Sequence, residues 1–257
     1  TDANGLPLLD NSYNDAGNAL VTDNGLPADA AFTPDQDNLD PRLDHSVGRR
    51  GIPFLDWGDH PGIAWIRNQP NGGPYSPKKF MYTQAGDGQE NDVSSWTPGY
   101  TVINYNIIRF ADVLLMAAEA EVELGNLEAG RALVNRVRER AVNSELLRED
   151  GTPAANYVIS TYDDPWTDQN IARQAVRFER KLELSGEGHR FFDLVRWGVA
   201  AEVLNDYIAY EDENLIASPF SGAVFQAGAD EYQPIPQREI DLINGGGEDI
   251  LTQNPGY

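Results

Sequence analysis

The stretch that decides the fold is IARQAVRFERKLELSGEGHRFFDLVRWG, which runs from Ile171 to Gly198. Apolar residues recur in its first half at intervals of four, three and four, and this spacing places them on one face of a helix. Asp168 precedes the helix at the position of an N-cap, and Gly186 and Gly188 follow it as helix-ending residues. The residues predicted to face inward are Ile171, Ala175, Phe178 and Leu182.

Charged side chains are interleaved with apolar residues in the second half of this stretch. An apolar knot is predicted after the helix, made of Phe191, Phe192, Leu194, Val195 and Trp197. An unpaired charge buried beside such a surface would be costly, so we expect the charges to pair as a structural ion network. The predicted members of this network are Glu179, Arg180, Glu183, Glu187, Arg190, Asp193 and Arg196.

A helical hairpin is predicted upstream of this stretch, starting near Tyr105 and turning at Gly125 and Asn126. The inner face of its first helix is predicted to carry Ile107, Ala111, Leu114, Leu115, Ala118 and Val122. The inner face of its second helix is predicted to carry Ala129, Ala132, Leu133, Val137 and Ala141. Small alanines allow the close packing of a tetratricopeptide repeat, and a lone hairpin cannot bury both its faces, so neighbours must come from elsewhere.

The segment 1–104 has a different composition from the rest of the chain. It is rich in Gly, Pro, Asn and Asp and shows no sustained helical period, which predicts loops with short strands or helical turns. So long a loop-rich segment is uncommon in a compact domain unless it wraps over a scaffold or carries function. We therefore divide the chain into a loop-rich segment 1–104, which we expect to carry the ligand face, and a helical region 105–257. The glycines at 245–247 are interpreted as a flexible turn.

Aromatic rings alternate with short polar side chains in the loop-rich segment. A ring can cover the apolar C–H face of a pyranose while amides and charges bind its hydroxyls, so the pattern indicates a sugar-binding surface. The candidate ligand-binding residues are Trp57, Asp59, Trp65, Arg67, Asn68, Tyr75, Trp96 and Tyr100. The alternative is that these aromatic side chains attach the loops to a core.

Composition excludes several classes of function. A net charge of −22 with three lysines argues against binding to nucleic acid or to an anionic lipid surface, since both need clustered cations. The acidity suits a solvated extracellular or saline setting. The acidic stretch from Thr22 to Asp44 could supply a structural calcium site, but it lacks the spacing of an EF-hand loop, so no metal ligand and no cofactor is assigned. The absence of cysteine excludes disulfides, and no apolar run is long enough to span a bilayer.

Several blocks of sequence together resemble the carboxy-terminal half of a SusD/RagB-type protein. They are RFADVLLMAAEAEVELG from Arg109, ALVNRVRERA from Ala132, FERKLELSGEGHRFFDLVRWG from Phe178, YQPIPQREID from Tyr232 and the terminal LTQNPGY. DPRL at 40–43 is a weaker match upstream, so the resemblance covers roughly residues 38–257. The order and spacing of separate blocks make the resemblance specific.

The resemblance implies a fold and a function. It implies a mainly α protein with a tetratricopeptide-like helical scaffold and long irregular loops that face the ligand. Such a protein is a non-catalytic cell-surface lipoprotein of the Bacteroidetes type, which binds glycans or other nutrients above a SusC-like TonB-dependent transporter. The location implied is the extracellular face of the outer membrane, with attachment only through a lipidated amino terminus outside this sequence. The amino-terminal half of the family fold is also expected to lie outside it.

Three alternatives remain open beside glycan binding. The first is a peptide-derived nutrient as the ligand of the same type of complex. The second is a glycoside hydrolase with a carboxylate pair, since Glu179 and Glu183 lie four residues apart on one helix, near Glu187 and Asp193. Arginines interleaved with these acids would keep them ionised, so we do not predict an enzyme. The third is a helical-repeat protein that binds only other proteins.

Overall fold

Helices are the main regular structure in the described residues, which are 1–245, 247 and 249–257 of this computed structural model. The helices are α1 (Arg42–Ser46), α2 (Gln69–Gly72), α3 (Phe110–Glu123), α4 (Leu127–Val142), α5 (Gln169–Glu183), α6 (His189–Arg196), α7 (Ala200–Asn214) and α8 (Gln237–Asn244). Two short strands, β1 (Val47–Gly48) and β2 (Ser76–Pro77), pair in antiparallel orientation. The predicted mainly α class is therefore confirmed. The predicted glycine turn at 245–247 lies partly outside the described residues.

The chain forms two compact units, Thr1–Arg190 and Phe191–Tyr257. The first unit contains helices α1 to α5 and the whole of segment 1–104. The second contains α7 and α8. The division at 104/105 stays a prediction, and the first long helix starts at Phe110.

Helices α3, α4 and α5 surround the hydrophobic core of the first unit. The core residues are Leu115, Ala118, Val122, Val134, Val137, Tyr162, Ala172, Ala175 and Val176. At the turn between α3 and α4, the Gly125 amide donates to the Val122 carbonyl and the Asn126 amide donates to the Glu121 carbonyl. This pair of bonds is a Schellman motif, and the φ of 85° at Gly125 favours glycine there. The hairpin predicted from local sequence therefore forms at the predicted turn.

Close approach of the two hairpin helices depends on a small residue at Gly130. A Cβ atom at this position would lie 2.6 Å from Cγ2 of Val122 and 3.2 Å from the Ala118 carbonyl oxygen. Gly130 is buried in α4, whereas the predicted inner residues Ala129 and Ala132 are exposed. The buried residues of α4 are Gly130, Val134, Val137, Arg138 and Ala141, so the prediction is confirmed at Val137 and Ala141. It was wrong at Ala129 and Ala132, because a glycine and an arginine occupy inner positions that a search for apolar residues passes over.

The inner face of α5 differs from the predicted one for the same reason. Of the predicted inner residues, Ala175 is buried as expected, whereas Ile171 is 56% exposed and Phe178 and Leu182 are only half-buried. The buried residues of α5 are Ala172, Ala175, Val176, Glu179, Arg180 and Glu183. Half of this face is charged, so apolar periodicity alone could not locate it.

Two apolar predictions outside α5 also fail. Ile107 lies before the start of α3 and is exposed, so it does not belong to the inner face of that helix. The predicted apolar knot is not a buried cluster: Leu194 is buried, whereas Phe192 is 71% exposed and Phe191 is 37% exposed. A run of aromatic residues on a short helix cannot place all of its rings on one side.

Asp168 begins α5 by capping its first turn, as predicted. One carboxylate oxygen accepts from the amides of Asn170 and Ile171 at 2.7 and 3.1 Å. We expect Asp168→Ala to lower the free energy of unfolding by about 1 kcal/mol, because these amides lose their acceptor. Urea denaturation followed by circular dichroism measures the change. Asp164→Ala removes an exposed acid from the loop before the cap and should have little effect; equal losses in the two variants would contradict the capping role.

Candidate functional site

A buried ion network joins the loop-rich segment to the helical scaffold. Its acids lie on and just after α5, and its cations come from other elements. Glu179 accepts from Nη1 of Arg42, in α1, at 2.5 Å and from Nη1 of Arg138, in α4, at 2.9 Å. Both Glu179 and Arg138 are fully buried. A charge pair so deep in the protein holds its partners in fixed positions, because separating them would leave charges without water.

Glu183 and Glu187 extend the network towards the loops. Arg109, just before α3, donates to Glu183 Oε1 at 2.6 Å and to Glu187 Oε2 at 2.7 Å. Glu183 also accepts from Arg140 at 2.5 Å. Lys79, in the loop after β2, donates to Glu187 Oε1 at 2.6 Å. The loop that follows β2 is therefore attached to the end of α5 by an ion pair.

The remaining members of the predicted network lie around this centre. Arg180 pairs with Asp112 of α3 at 2.8 Å, and Asp193 pairs with Arg196 at 2.9 Å within α6. Arg190 lies near Lys181, where its positive charge adds to the effect of burial and lowers the pKa of Lys181 to about 8. The outer cations were not among the network members predicted from the sequence. Two of them, Arg42 and Arg109, lie within the sequence blocks DPRL and RFAD that carry the family resemblance. This was the only sign in the sequence that they belong to the network.

The surroundings of Glu187 do not suit a general acid. Burial alone would raise the pKa of Glu187, but hydrogen bonds and charge from Arg109 and Lys79 outweigh it and lower that pKa. A glycosidase needs one carboxyl whose pKa is raised, so that it can donate a proton near neutral pH. Glu179 and Glu183 each face two or more guanidinium groups. The geometry is that of a structural network.

The predicted ligand residues fall into separate groups on the loops. Trp65 packs edge-to-face against Phe54 and His60, with centroid distances of 5.7 and 5.3 Å, and leaves 46% of its surface exposed. His60 is buried, and its Nδ1 accepts from the Gly62 amide at 3.1 Å, so Nε2 carries the proton that faces the Ser76 hydroxyl. The Trp65 ring is thus supported on one side and open on another.

Trp57 forms a second aromatic group with Tyr82. Their ring centroids are 5.8 Å apart at 83°, and Nε1 of Trp57 donates to the Tyr82 carbonyl at 3.2 Å. The Tyr82 hydroxyl lies 3.6 Å from the place a Cβ on Gly99 would occupy, so this group adjoins the loop that carries Trp96. Tyr82 was not among the predicted site residues. Its position beside Trp57 depends on a contact between distant loops that the sequence pattern does not encode.

Trp96 and Tyr100 are the most exposed of the predicted aromatic residues, at 91% and 69%. They lie on a loop closed by backbone hydrogen bonds, with the Asp92 amide donating to Tyr100 and the Gly99 amide donating to Asp92, both at 2.8 Å. A large ring in water is unfavourable unless something covers it. This loop is therefore the strongest candidate for contact with a ligand.

The other predicted ligand residues have different surroundings. Asp59 pairs with Arg148 at 3.1 Å, so its carboxylate is already engaged. Arg67 and Asn68 are exposed in the segment after Trp65. Tyr75 is half-buried. The structure thus brings Trp57 next to the Trp96 loop, and it keeps Trp65 in its own cluster with Phe54 and His60.

The helical scaffold also has an open apolar face. Phe110, Val113 and Met116 of α3 are exposed, and a cleft of about 360 Å³ lies between α3 and α4. The guanidinium of Arg136 sits 5.6 Å from the centroid of the Phe110 ring at this cleft. Such a face matches the sequence argument that a lone hairpin leaves surface to be covered.

No group of three or more His, Cys, Asp or Glu side chains is arranged to hold a metal ion within the described part of the chain. No helix among the described residues is long and apolar enough to cross a bilayer.

The fold defines a class of protein, a tetratricopeptide-like helical scaffold that carries long irregular loops. The family model described as the SusD family matches residues 8–257, and the chain belongs to this family.

Relatives of known name are similar over parts of their length. SusD-like protein P25 of Formosa agariphila is 38% identical over 103 residues, which cover 40% of this chain and 17% of that protein. SusD-like protein P2 of the same organism is 31% identical over 207 residues, which cover 80% of this chain and 33% of that protein. The chain thus aligns with a third or less of these curated relatives.

Solved structures support the fold. A SusD superfamily protein from Bacteroides vulgatus superposes with a TM-score of 0.54 at 24% identity, over 86% of this chain and 40% of that one. A SusD homolog from Bacteroides thetaiotaomicron gives a TM-score of 0.52 at 25% identity, over 85% of this chain and 41% of that one. The tetratricopeptide-like scaffold expected from the sequence is confirmed by these likenesses.

Proposed function

We propose that the protein is a non-catalytic binding protein that holds a glycan against the exposed rings of its loop-rich segment. Membership of the SusD family supports an accessory role in nutrient binding in general. The observation that carries the proposal is Trp96, which stands 91% exposed on a loop closed by hydrogen bonds. Trp57, Trp65 and Tyr100 are further rings on the same segment, and we propose that they contact longer ligands.

The chemistry of an exposed indole suits a sugar ring. Each face of a pyranose presents C–H groups that pack on an aromatic ring while the hydroxyls stay in reach of polar groups. Covering one face of Trp96, about 100 Å², would stabilise a complex by about 2–3 kcal/mol. The Ser95 hydroxyl adjoins the ring in the sequence and can offer a hydrogen bond to the sugar.

We further propose that the bound glycan passes to a SusC-like TonB-dependent transporter at the extracellular face of the outer membrane. Proteins of this family typically act there beside such transporters, and this supports the proposal. The exposed apolar face of α3 is a surface that a protein neighbour would cover. A peptide-derived nutrient is the alternative ligand.

Trp96→Ala is expected to weaken glycan binding about 10- to 100-fold, since the ring supplies much of the contact. Isothermal titration of the purified protein against maltohexaose, cellohexaose, xylohexaose, laminarihexaose and a peptide mixture measures the effect. Phe192→Ala removes a ring that is 71% exposed in the other compact unit and should leave affinity unchanged.

The titrations also separate the alternatives. Binding of peptides with no response to any oligosaccharide would favour the peptide reading. Equal affinities for wild type and Trp96→Ala would show that the glycan sits elsewhere. Release of shorter sugars during the titration would contradict a non-catalytic role.

A further inference from the structure

The loop that presents Trp96 is held by polar contacts, without apolar packing of its own. Its base is closed by the Val102 amide, which donates to the Glu90 carbonyl at 2.8 Å, and by the backbone bonds between Asp92 and residues 99–100. Gly99 has a φ of 82°, so glycine suits the turn that brings its amide back to Asp92. Val93, Trp96 and Tyr100 all point into solvent. The Trp96 ring is 91% exposed, so apolar packing contributes little to its direction.

The side chain of Asp92 fills the inside of this loop. Its Oδ1 accepts from the Ser94 amide at 2.7 Å, and its Oδ2 accepts from the Ser94 hydroxyl at 3.0 Å. The Thr97 hydroxyl donates to the same Oδ2. Ser94 and Thr97 flank Trp96 along the chain, so one carboxylate ties together the two sides of the turn that carries the ring.

No charged side chain of the described residues contacts the Asp92 carboxylate. Glu90, at the base of the loop, accepts from the amide and hydroxyl of Thr83, and Asp87 accepts from the Asn91 amide group. The hydrogen bonds from Thr97 and Ser94 lower the pKa of Asp92 below its ordinary value. The carboxylate is therefore ionised at neutral pH and accepts every one of these bonds, which is the state in which they are strongest.

We propose that Asp92 is a positioning residue that preorganises the Trp96 loop, so that ligand binding depends on the ionised state of this carboxylate. The proposal rests on the proposed function at Trp96. A loop already ordered before binding loses less entropy in the complex, and affinity rises accordingly. Protonation of Asp92 turns one acceptor oxygen into a donor that faces hydroxyls, and it weakens the bonds to Ser94 and Thr97.

The pH dependence has a definite sign. The folded loop lowers the pKa of Asp92, so the loop is stabilised above the ordinary pKa and loses this stabilisation as pH falls through the lowered value. Binding of the best hexasaccharide should therefore be constant near neutral pH and decline in the acid range, below the ordinary pKa of an aspartate.

Asp92→Asn tests the proposal by isothermal titration with the hexasaccharide that wild type binds best. We expect about tenfold weaker binding at pH 7 and no further decline in acid, since the group that titrates is gone. Asp150→Asn is the matched control. Asp150 accepts from the amide and hydroxyl of Thr152 in a similar turn, and its pKa is also lowered, but no exposed tryptophan lies on that turn.

The outcomes distinguish this inference from the proposed function. If Asp92→Asn binds the hexasaccharide with the affinity and the pH profile of wild type, the inference is overturned and the proposed function is unaffected. A loss in Asp150→Asn as large as in Asp92→Asn would also overturn it. Failure of folded wild type to bind any hexasaccharide would overturn the proposed function itself, and the inference with it. Recovery of near-wild-type affinity in Asp92→Glu, which keeps the charge, would support positioning by the carboxylate.

Discussion

Glu179→Gln is expected to lower the free energy of unfolding by about 3–5 kcal/mol. The side chain keeps its shape but loses its charge, and its NH2 group must face one of the two guanidinium groups, of Arg42 or Arg138, that now donate to the carboxylate. The fully buried Arg138 guanidinium then has no counter-charge, although the carbonyl oxygens of Gly5 and Ser160 still accept from it. Arg42 retains Asp40, at 2.7 Å, and Glu183. Urea denaturation at pH 7 measures the loss.

Glu123→Gln is the control for this prediction. It breaks a pair of the same kind, between Glu123 and Arg173 at 2.5 Å, but the Glu123 side chain is 45% exposed. Water replaces the lost contact there, so we expect a change of about 1 kcal/mol or less. Comparable losses in both variants would show that burial does not determine the importance of the Glu179 network.

Leu115→Ala is the second substitution with a large expected effect, a loss of about 3 kcal/mol in the free energy of unfolding. Leu115 is fully buried where α3 meets α4 and α5, and its removal leaves a cavity that these helices cannot fill without moving. Leu124→Ala makes the same chemical change at the exposed end of α3 and should cost far less. Thermal or urea denaturation of the two variants compares them, and similar costs would contradict the assignment of the core.

The helices that these two substitutions weaken also hold the loops of segment 1–104 in place. Glu187 holds Lys79, and the Tyr105 hydroxyl donates to the Glu187 carbonyl. The Phe80 and Tyr105 rings stack with centroids 4.6 Å apart. The end of α5 thus anchors loop residues on both sides of the Trp96 loop in the sequence. The stretch that decides the fold also positions the segment proposed to bind the ligand.

Much of the helical architecture could be predicted because its signals are local. The cap at Asp168, the turn at Gly125 and the start of a hairpin depend on residues a few positions apart. The inner face of α5 could not be predicted from apolar spacing, since buried charges occupy half of it. Their partners lie far along the chain: Arg42 and Glu179 are separated by 137 residues.

The candidate ligand site was less predictable, because loops lack the periodic spacing of apolar residues that identifies helices and strands. Trp96 and Trp57 look alike in the sequence, yet Trp57 is half-buried against Tyr82 while Trp96 is almost fully exposed. Asp59 and Asp92 are both loop aspartates with nothing in the sequence to tell them apart. Asp59 pairs with Arg148, whereas Asp92 accepts hydrogen bonds within its own loop. These differences arise from contacts between loops, which only the folded chain defines.

Contact between Trp96 and a glycan is the central claim, and fluorine NMR tests it most directly. The five tryptophans can be labelled as 5-fluorotryptophan, and Trp96→Phe assigns the line of Trp96. We expect titration with the oligosaccharide that binds in calorimetry to shift the Trp96 line in a saturable way, with the same dissociation constant, while the line of half-buried Trp166 stays in place. A Trp96 line that does not move while calorimetry reports saturation would contradict the account.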